Sequence, residues 1–559
     1  MMLNVSREKK HAVNRIIVDQ IEISKRIDNK SLKRKNIDSY GDEITGSTKQ
    51  IARRFLQEYL YESSLHGVKY LGKLQIKSTI LGKLFWTFIM ISSLAFVIWM
   101  FRKTWIRYRD NPTRTVIESY HAPVALIPFP AITVCPLVLP PSTRREKVLR
   151  SLQLPPNMSN KTAKLLLKYG PSFANEHVLG NRKYINDLDA LLKINRLTLI
   201  NFLELMRPCE DLFEICWWDG DEKNCTELFK LSYAYSGLCC SFNYVLEDDI
   251  RTDKITKDSD LRTTMLFGPR AGLTVVVKRD LLPNSHNGRD KNVKYSTNSY
   301  GLLIYCHHPL EYVGPIYTRQ LLQASEELRV SIVPFTKRNL PGYYRRNSRG
   351  GWTPICIDKN NLKYFPAYRY SNCFTSCSIE AVLEICGCIP YYYAPVADKY
   401  SLRICEWRDF ECLYNNTKRI RILHNTYTKN FTCECQNPCW NVYYETRTSS
   451  LLLNDDDNSN ILPFYKNITS SQAVLRVFFG YDTVMETITI PIADELYLLG
   501  KNDCFSILRI DSKILIKIFL ASVGGIFSLL LGASFISAVE IFYFIELFFR
   551  SYYKEKKSK

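Results

Sequence analysis

Two stretches of the chain break the usual mixture of apolar and polar positions. Leu84–Phe101 (LFWTFIMISSLAFVIWMF) runs 18 residues without a charge, and Ile518–Val539 runs 22. About 20 apolar residues in a helix cross the roughly 30 Å hydrocarbon layer of a bilayer. Both runs are therefore expected to span a membrane, with burial in a large soluble protein as the alternative. Ahead of the first, Ile51, Phe55, Leu56, Tyr59 and Leu60 recur at helical spacing, which predicts a helix broken at Gly67. Residues 1–50 are polar and mixed in charge, and are expected to be mostly disordered. Between the two runs, AGLTVVVKRDLL and GLLIYCHHPLEYVG read as strands and IYTRQLLQASEELRV as a helix. The pattern predicts a membrane protein with two transmembrane helices around a large mixed α+β region that has no internal repeat.

Charge sets the orientation. Residues 1–80 carry 16 Lys/Arg against 9 Asp/Glu, and the tail RSYYKEKKSK carries five basic residues against one acid. Basic flanks stay cytoplasmic, so both termini are expected inside and residues 102–512 outside. No signal peptide is expected, because the first apolar run begins more than 80 residues in. Much of the formal net charge of +20 lies in these flanks, and the ectodomain has no basic run that would suit nucleic acid.

Cysteine usage bears on the same topology. All 18 cysteines lie between Cys135 and Cys504, as in a disulfide-rich ectodomain exposed to an oxidising compartment. The densest part runs Cys356, Cys373-x3-Cys377, Cys386-x-Cys388, Cys405, Cys412, Cys433-x-Cys435-x3-Cys439. Zinc is the rival reading, but pairs one residue apart depart from the usual structural zinc spacing. Connectivity does not follow from spacing alone. Six glycosylation sequons fall in this region, at Asn157, Asn160, Asn224, Asn415, Asn430 and Asn467. Asn4 and Asn29 also fit the pattern but fall in the cytoplasmic part.

The second apolar run is more than an anchor. Placed on a helix, Ala521, Gly525, Ser528 and Gly532 form one stripe of small residues, the kind that lets helices approach closely in lipid. Ser534, Ser537 and Glu540 form a second stripe, rotated by roughly 150° from the first. A break at Gly532-Ala533-Ser534 would realign the two. Broken backbone at membrane depth is tolerated where it lines a cavity, and free carbonyls replace an ion's hydration shell in filters. Glu540 is costly inside a membrane unless it faces an ion path or a bundle interior; a position at the cytoplasmic interface is the alternative. One such helix cannot enclose a pore, so a channel reading requires an oligomer.

With these residues in view, the chain resembles the epithelial sodium channel/degenerin family over about residues 60–550, and within it the insect pickpocket members. The motifs are His66-Gly67 before the first span, FPAITVCP (129–136) after it, SGLCCSFN (236–243), the 356–439 cysteines, and GASFISAVEIFYF (532–544). The resemblance implies a homo- or heterotrimer with a hand-like ectodomain. The parts would be a cytoplasmic region 1–80, spans at 81–101 and 513–547, the ectodomain 102–512 and a tail 548–559. It implies cystines Cys356–Cys439, Cys373–Cys435, Cys377–Cys433, Cys386–Cys412, Cys388–Cys405, Cys135–Cys239 and Cys216–Cys225, leaving Cys209, Cys240, Cys306 and Cys504 unassigned. Gly532, Ala533 and Ser534 would form the selectivity filter, and Ala521 would occupy the gating (degenerin) position. His66, Gly67 and Glu540 would line the inner pathway, although a helix stop is the plainer reading of His66.

The implied function is a sodium-permeable, amiloride-sensitive, sensory cation channel subunit of the plasma membrane, gated by an extracellular ligand or by force. No cofactor is expected, sodium being the permeant ion; the partners would be membrane lipid, related subunits and an unidentified extracellular ligand. Lys517 departs from the pattern: lysines facing the axis would repel cations, so they are expected to point away from it; the alternative is a non-conducting auxiliary subunit that assembles with conducting relatives. No acidic pair stands out as a proton sensor. A membrane-anchored enzyme has little support: there is no HExxH or Gly-x-Ser-x-Gly, and HHPLE (307–311) lacks metal-ligand spacing. An ATP-gated trimer shares the two-span plan without this cysteine cluster.

Overall fold

Strands drawn from distant parts of the chain pair into two sheets, and their register sets where the chain enters and leaves. The computed structural model describes residues 48–65, 80–110, 113–174, 182–279, 281–282, 300–346, 351–421, 433, 435–454, 463–465, 468–491 and 535–558. The chain divides into two units. One holds Met1–Tyr108 with Ala493–Lys559, the other Arg109–Ile492.

In the second unit, the larger sheet contains β1 (Thr113–Pro123), β3 (Phe213–Trp218), β4 (Asp221–Lys223), β7 (Leu273–Val277), β10 (Glu326–Asn339), β13 (Trp440–Leu452), β14 (Val474–Phe479) and β15 (Thr483–Pro491). The smaller contains β2 (Ala131–Pro136), β5 (Phe229–Ala234), β6 (Gly237–Phe242), β8 (Leu302–His307) and β9 (Gln320–Leu322). A two-stranded ribbon joins β11 (Tyr344–Arg346) to β12 (Trp352–Pro354). Every residue of β2, β6, β7 and β14 is buried, which suits their near-continuous apolar sequence. Fully buried Phe129 packs edge-on against Trp218 and Phe479, with ring centroids 4.9 and 5.2 Å apart, and so ties the sheets into one core.

β10 organises the larger sheet. It pairs antiparallel with β13 along its length, and parallel with β14 and then β15 on its other side. This corrects the helix expected over IYTRQLLQASEELRV. That segment holds β9, a turn at Ser325 with φ 64°, and the start of β10. Its leucine spacing suits a helix, but burial alternates along β10 and both of its long edges are paired. Tertiary pairing overrides local preference here.

β1 and β15 pair antiparallel, with Thr113 opposite Pro491 and Pro123 opposite Thr483. The strand that follows the first apolar helix and the strand that precedes the second thus end side by side. Beside the sheets, helices Ser142–Ser151, Asn160–Phe173, Arg182–Ile194 and Leu199–Met206 bury a separate core around Leu166, Leu188, Leu191 and Phe202. Thr198 and Asn201 cap the last of these reciprocally, each side chain accepting from the other's backbone N–H.

The first unit contains helices Thr48–Glu62, Ile80–Asp110 and Phe535–Ser558. The run Leu84–Phe101 lies within the 31-residue middle helix. Taken over the described residues alone, no helix is long and apolar enough to cross a membrane. Of the second run, residues 518–534 lie outside the described set.

Candidate functional site

In the first unit, the N-terminal and C-terminal helices run antiparallel and meet along one face. Phe55 stands edge-on to Phe548 at 6.1 Å between centroids, and Tyr59 to Phe544 at 5.4 Å. Residues four apart on each helix share a face, so these pairs form two successive rungs. Next comes Ser64. The Ser63 hydroxyl accepts from the Leu65 N–H at 3.2 Å, closing a tight turn at the end of the helix. Ser64 then presents both its N–H and its hydroxyl to Glu540 Oε2, at 3.2 and 2.9 Å. Ser537 Oγ lies 2.6 Å from Ser64 Oγ and is buried. Since Ser64 gives its single hydroxyl proton to Glu540, Ser537 is the donor to Ser64.

Ser537 and Glu540, one stripe in the sequence, therefore engage the segment just ahead of His66. Position 64 carries no sequence signal of its own. It lies 476 positions from Glu540, and only folding brings the two together. His66, Gly67, Lys517, Ala521, Gly532, Ala533 and Ser534 lie outside the described residues.

In the second unit, the cysteines form a ladder along helix Tyr370–Cys386. Cys373 and Cys377, one turn apart on it, pair with Cys435 and Cys433, and Cys356–Cys439 closes the outer rung. Cys386–Cys412 and Cys388–Cys405 staple the far end, where Gly387 stops the helix with φ 65°. The sulfurs of Cys373, Cys377 and Cys435 lie within 4.8 Å of one another, as metal ligands would, but each is half of a cystine. Cys135–Cys239 and Cys216–Cys225 are also formed. Cys209, left open by the sequence, pairs with Cys240. Among the described residues Cys306 is free, and burial pushes its thiol up to about 12; Cys504 lies outside them. Asn157, Asn160, Asn224 and Asn415 are exposed, while Asn430 and Asn467 fall outside the described residues.

The ladder is anchored to the sheet at two points. At the start of its helix, buried Arg369 donates to both oxygens of Asp258 at 2.8 and 3.0 Å, and to Asn441 on β13. Burial alone would raise the Asp258 carboxyl, but His308 and Arg369 together hold it well below the usual range. Burial lowers the neighbouring His308, with Arg369 adding repulsion. The second anchor is Asn339, at the end of β10. Its N–H donates to Cys439 O at 2.7 Å, beside the outer rung of the ladder.

The sequence motifs also meet in space. FPAITVCP supplies β2 and SGLCCSFN supplies β6, which pair antiparallel and are bridged by Cys135–Cys239. Asn243, at φ 53°, donates to Phe129 O at 2.6 Å.

Comparison with known proteins agrees with this arrangement. The family model described as amiloride-sensitive sodium channel matches residues 59–544. Sodium channel protein Nach of Drosophila melanogaster is 26% identical over 524 residues, covering 90% of this chain and 89% of that protein. Pickpocket protein 28 of the same species is 23% identical over 553 residues, covering 92% and 81%. Degenerin mec-10 of Caenorhabditis elegans matches over 86 residues at 27% identity, 15% of this chain and 11% of its own. With the match spanning most of the chain, from the helix that carries Tyr59 to the helix that carries Phe544, this protein belongs to the amiloride-sensitive sodium channel (epithelial sodium channel/degenerin) family.

Proposed function

We propose that this chain lines the pore of a sodium-permeable, amiloride-sensitive channel in the plasma membrane, with both termini cytoplasmic and a sensory role. The family is one of ion channels rather than enzymes, and its members generally assemble as oligomers of related subunits. In this reading, spans at 81–101 and 513–547 flank an ectodomain at 102–512, and three subunits surround the axis. Gly532, Ala533 and Ser534 present carbonyl oxygens that replace part of the sodium hydration shell. Ala521 is the gating position, and His66, Gly67 and Glu540 lie on the inner pathway. Asn157, Asn160, Asn224, Asn415, Asn430 and Asn467 carry glycans.

The observation that carries the reading is the β1–β15 ladder. An ectodomain that moves a pore must act on both spans together, and here the connecting strands are hydrogen-bonded to each other. The apolar helix supports it too: Leu84, Phe88, Ile91 and Trp99 share one face of it and are more than half exposed, as lipid-facing residues would be.

The test is expression of the full chain as Ala521→Val under voltage clamp. The expected result is a constitutive inward current that falls when a large organic cation replaces sodium and when amiloride is added. Surface expression without current overturns the conducting reading and favours an auxiliary subunit, consistent with Lys517 facing the axis.

A further inference from the structure

The middle residue of the sequon Asn224-Cys225-Thr226 is half of a cystine, and its partner Cys216 lies on β3. Asn224 also caps the short helix Cys225–Leu228. Its Oδ1 accepts from the Thr226 N–H at 3.1 Å and from the Thr226 hydroxyl at 3.0 Å. A backbone N–H can only donate, so the side-chain atom facing it is the oxygen. Nδ2, the atom that carries a glycan, is left without a hydrogen-bond partner among the described residues.

The same asparagine stands on a cleft of about 590 Å³, walled by β3, β4, the short helix and the end of β7. Cavities that hold small organic ligands are of this size. Glu210, Glu214 and Glu222 face it from one side of the charge balance and Lys278 from the other. Glu210 holds Arg144 and Glu214 holds Gln472, each through one carboxylate oxygen. The Lys278 N–H donates to Leu212 O at 3.0 Å, which keeps this lysine beside β3, and its ammonium has no acidic partner among the described residues. Ile215 and the Cys216–Cys225 sulfurs add apolar surface.

This lining matches an N-acetylated sugar. Its hydroxyls and acetamido N–H donate to carboxylates, its acetamido carbonyl accepts from an ammonium, and its methyl group and ring face need apolar contact. A sugar attached to Nδ2 is already at the cleft, and the cystine and the helix cap fix its stem, which lowers the ordering cost of seating it. We propose that the first N-acetylglucosamine of the Asn224 glycan seats in this cleft and closes it over Lys278. The proposal rests on the reading above that Asn224 is glycosylated.

The test uses the full chain in cells grown with a mannosidase inhibitor, so that endoglycosidase H trims each glycan to its first N-acetylglucosamine. A membrane-impermeant amine-acetylating reagent is the probe. Peptide mass spectrometry reads both the acetylation of Lys278 and the sugar on Asn224. Lys278 is expected to label about fivefold less in the trimmed chain than in Asn224→Asp, since a seated ligand closes most of its cavity to solvent. That variant carries no sugar but keeps a good helix cap. Peptide-N-glycosidase acting on the folded, unsubstituted chain removes the whole glycan and repeats the comparison without a folding step. Equal labelling with and without the sugar overturns the seating alone. An Asn224 peptide that carries no sugar overturns the glycosylation of this position as well.

Discussion

Thr489 donates its hydroxyl proton to Asn339 Oδ1 at 2.6 Å, and both residues are buried. Thr489 lies near the end of β15, two residues before Pro491. Asn339 closes β10 and holds Cys439 through its backbone N–H and Pro438 through its side-chain amide. Thr115 on β1 completes the series, its hydroxyl 3.1 Å from that of Thr489. The Thr489 proton is already given to Asn339, so Thr115 is the donor. The outer rung of the cystine ladder and both exit strands therefore share one line of hydrogen bonds. Thr489→Val keeps the shape and removes the hydroxyl. It is expected to cost about 1–3 kcal/mol in thermal unfolding of the detergent-solubilised chain, and Thr489→Ser should restore most of it. An unchanged midpoint in the valine variant would show that the line carries no load.

Ser64 and Glu540 invite a double-mutant cycle. If their two hydrogen bonds are the main link between the segments, Ser64→Ala and Glu540→Gln should be non-additive by about 0.5–3 kcal/mol. Unfolding of both single variants and the double variant measures the coupling. Strictly additive costs would mean that the two side chains act independently.

The pH dependence follows from two buried groups with opposite signs. Burial lowers His307 to about 3, whereas an unfolded imidazole takes up a proton near 6.5. Stability is therefore lost as pH falls below about 6.5, and His308, lowered in the same direction, adds to the loss. Burial pushes the Glu247 carboxyl up to about 8, although the Tyr233 N–H bond pulls it down. The unfolded carboxyl ionises well below that, so stability also falls as pH rises toward 8. Maximum stability is expected near pH 6.5, with a decline of about 1.4 kcal/mol per pH unit on the alkaline side. Glu247→Gln should flatten that side and steepen the acid side, where the carboxyl otherwise offsets part of the histidine loss. An alkaline decline unchanged in the variant would assign it to another group.

Gly272 allows no side chain. Its φ is +70°, and an added Cβ would collide with the Val477 carbonyl oxygen on the neighbouring strand β14. Gly342 has a similar φ of +88° but open space around it. Gly342→Ala is expected to cost about 1–2 kcal/mol from backbone strain alone. Gly272→Ala should cost more than that, because backbone must also move, and should reduce surface delivery in a cell-surface labelling assay. Equal delivery of the two variants would contradict this packing.

Local pattern made some of this fold legible. Strands β7 and β8 stand out as β-branched and apolar runs, and the helix containing Phe55 and Tyr59 follows from its spacing. The order of the larger sheet does not, because β10 takes partners more than 100 residues away and its first residues carry helix-like spacing. Ser64 was equally hidden. A serine ahead of a His-Gly step looks like a turn until Glu540 is folded against it. Of Cys209, Cys240, Cys306 and Cys504, none has a spacing that names its partner; it is the place of β6 in its sheet that sets Cys240 beside Cys209.

That last pair has a consequence for biosynthesis. Cys239 and Cys240 are adjacent on β6, so their side chains emerge on opposite faces: Cys240 sits in the core between the sheets, and Cys239 in a separate cluster behind the smaller one. An unpaired chain offers Cys209 two neighbouring thiols that are chemically alike. Cys209 is 31 residues from its partner, whereas Cys135 must reach across 104, so the shorter loop closes more readily. Early oxidation that joined Cys209 to Cys239 would send both bridges through the wrong faces of the strand. The native pairing thus depends on the alternation of β6: only with that strand in its sheet do the two adjacent thiols face different partners.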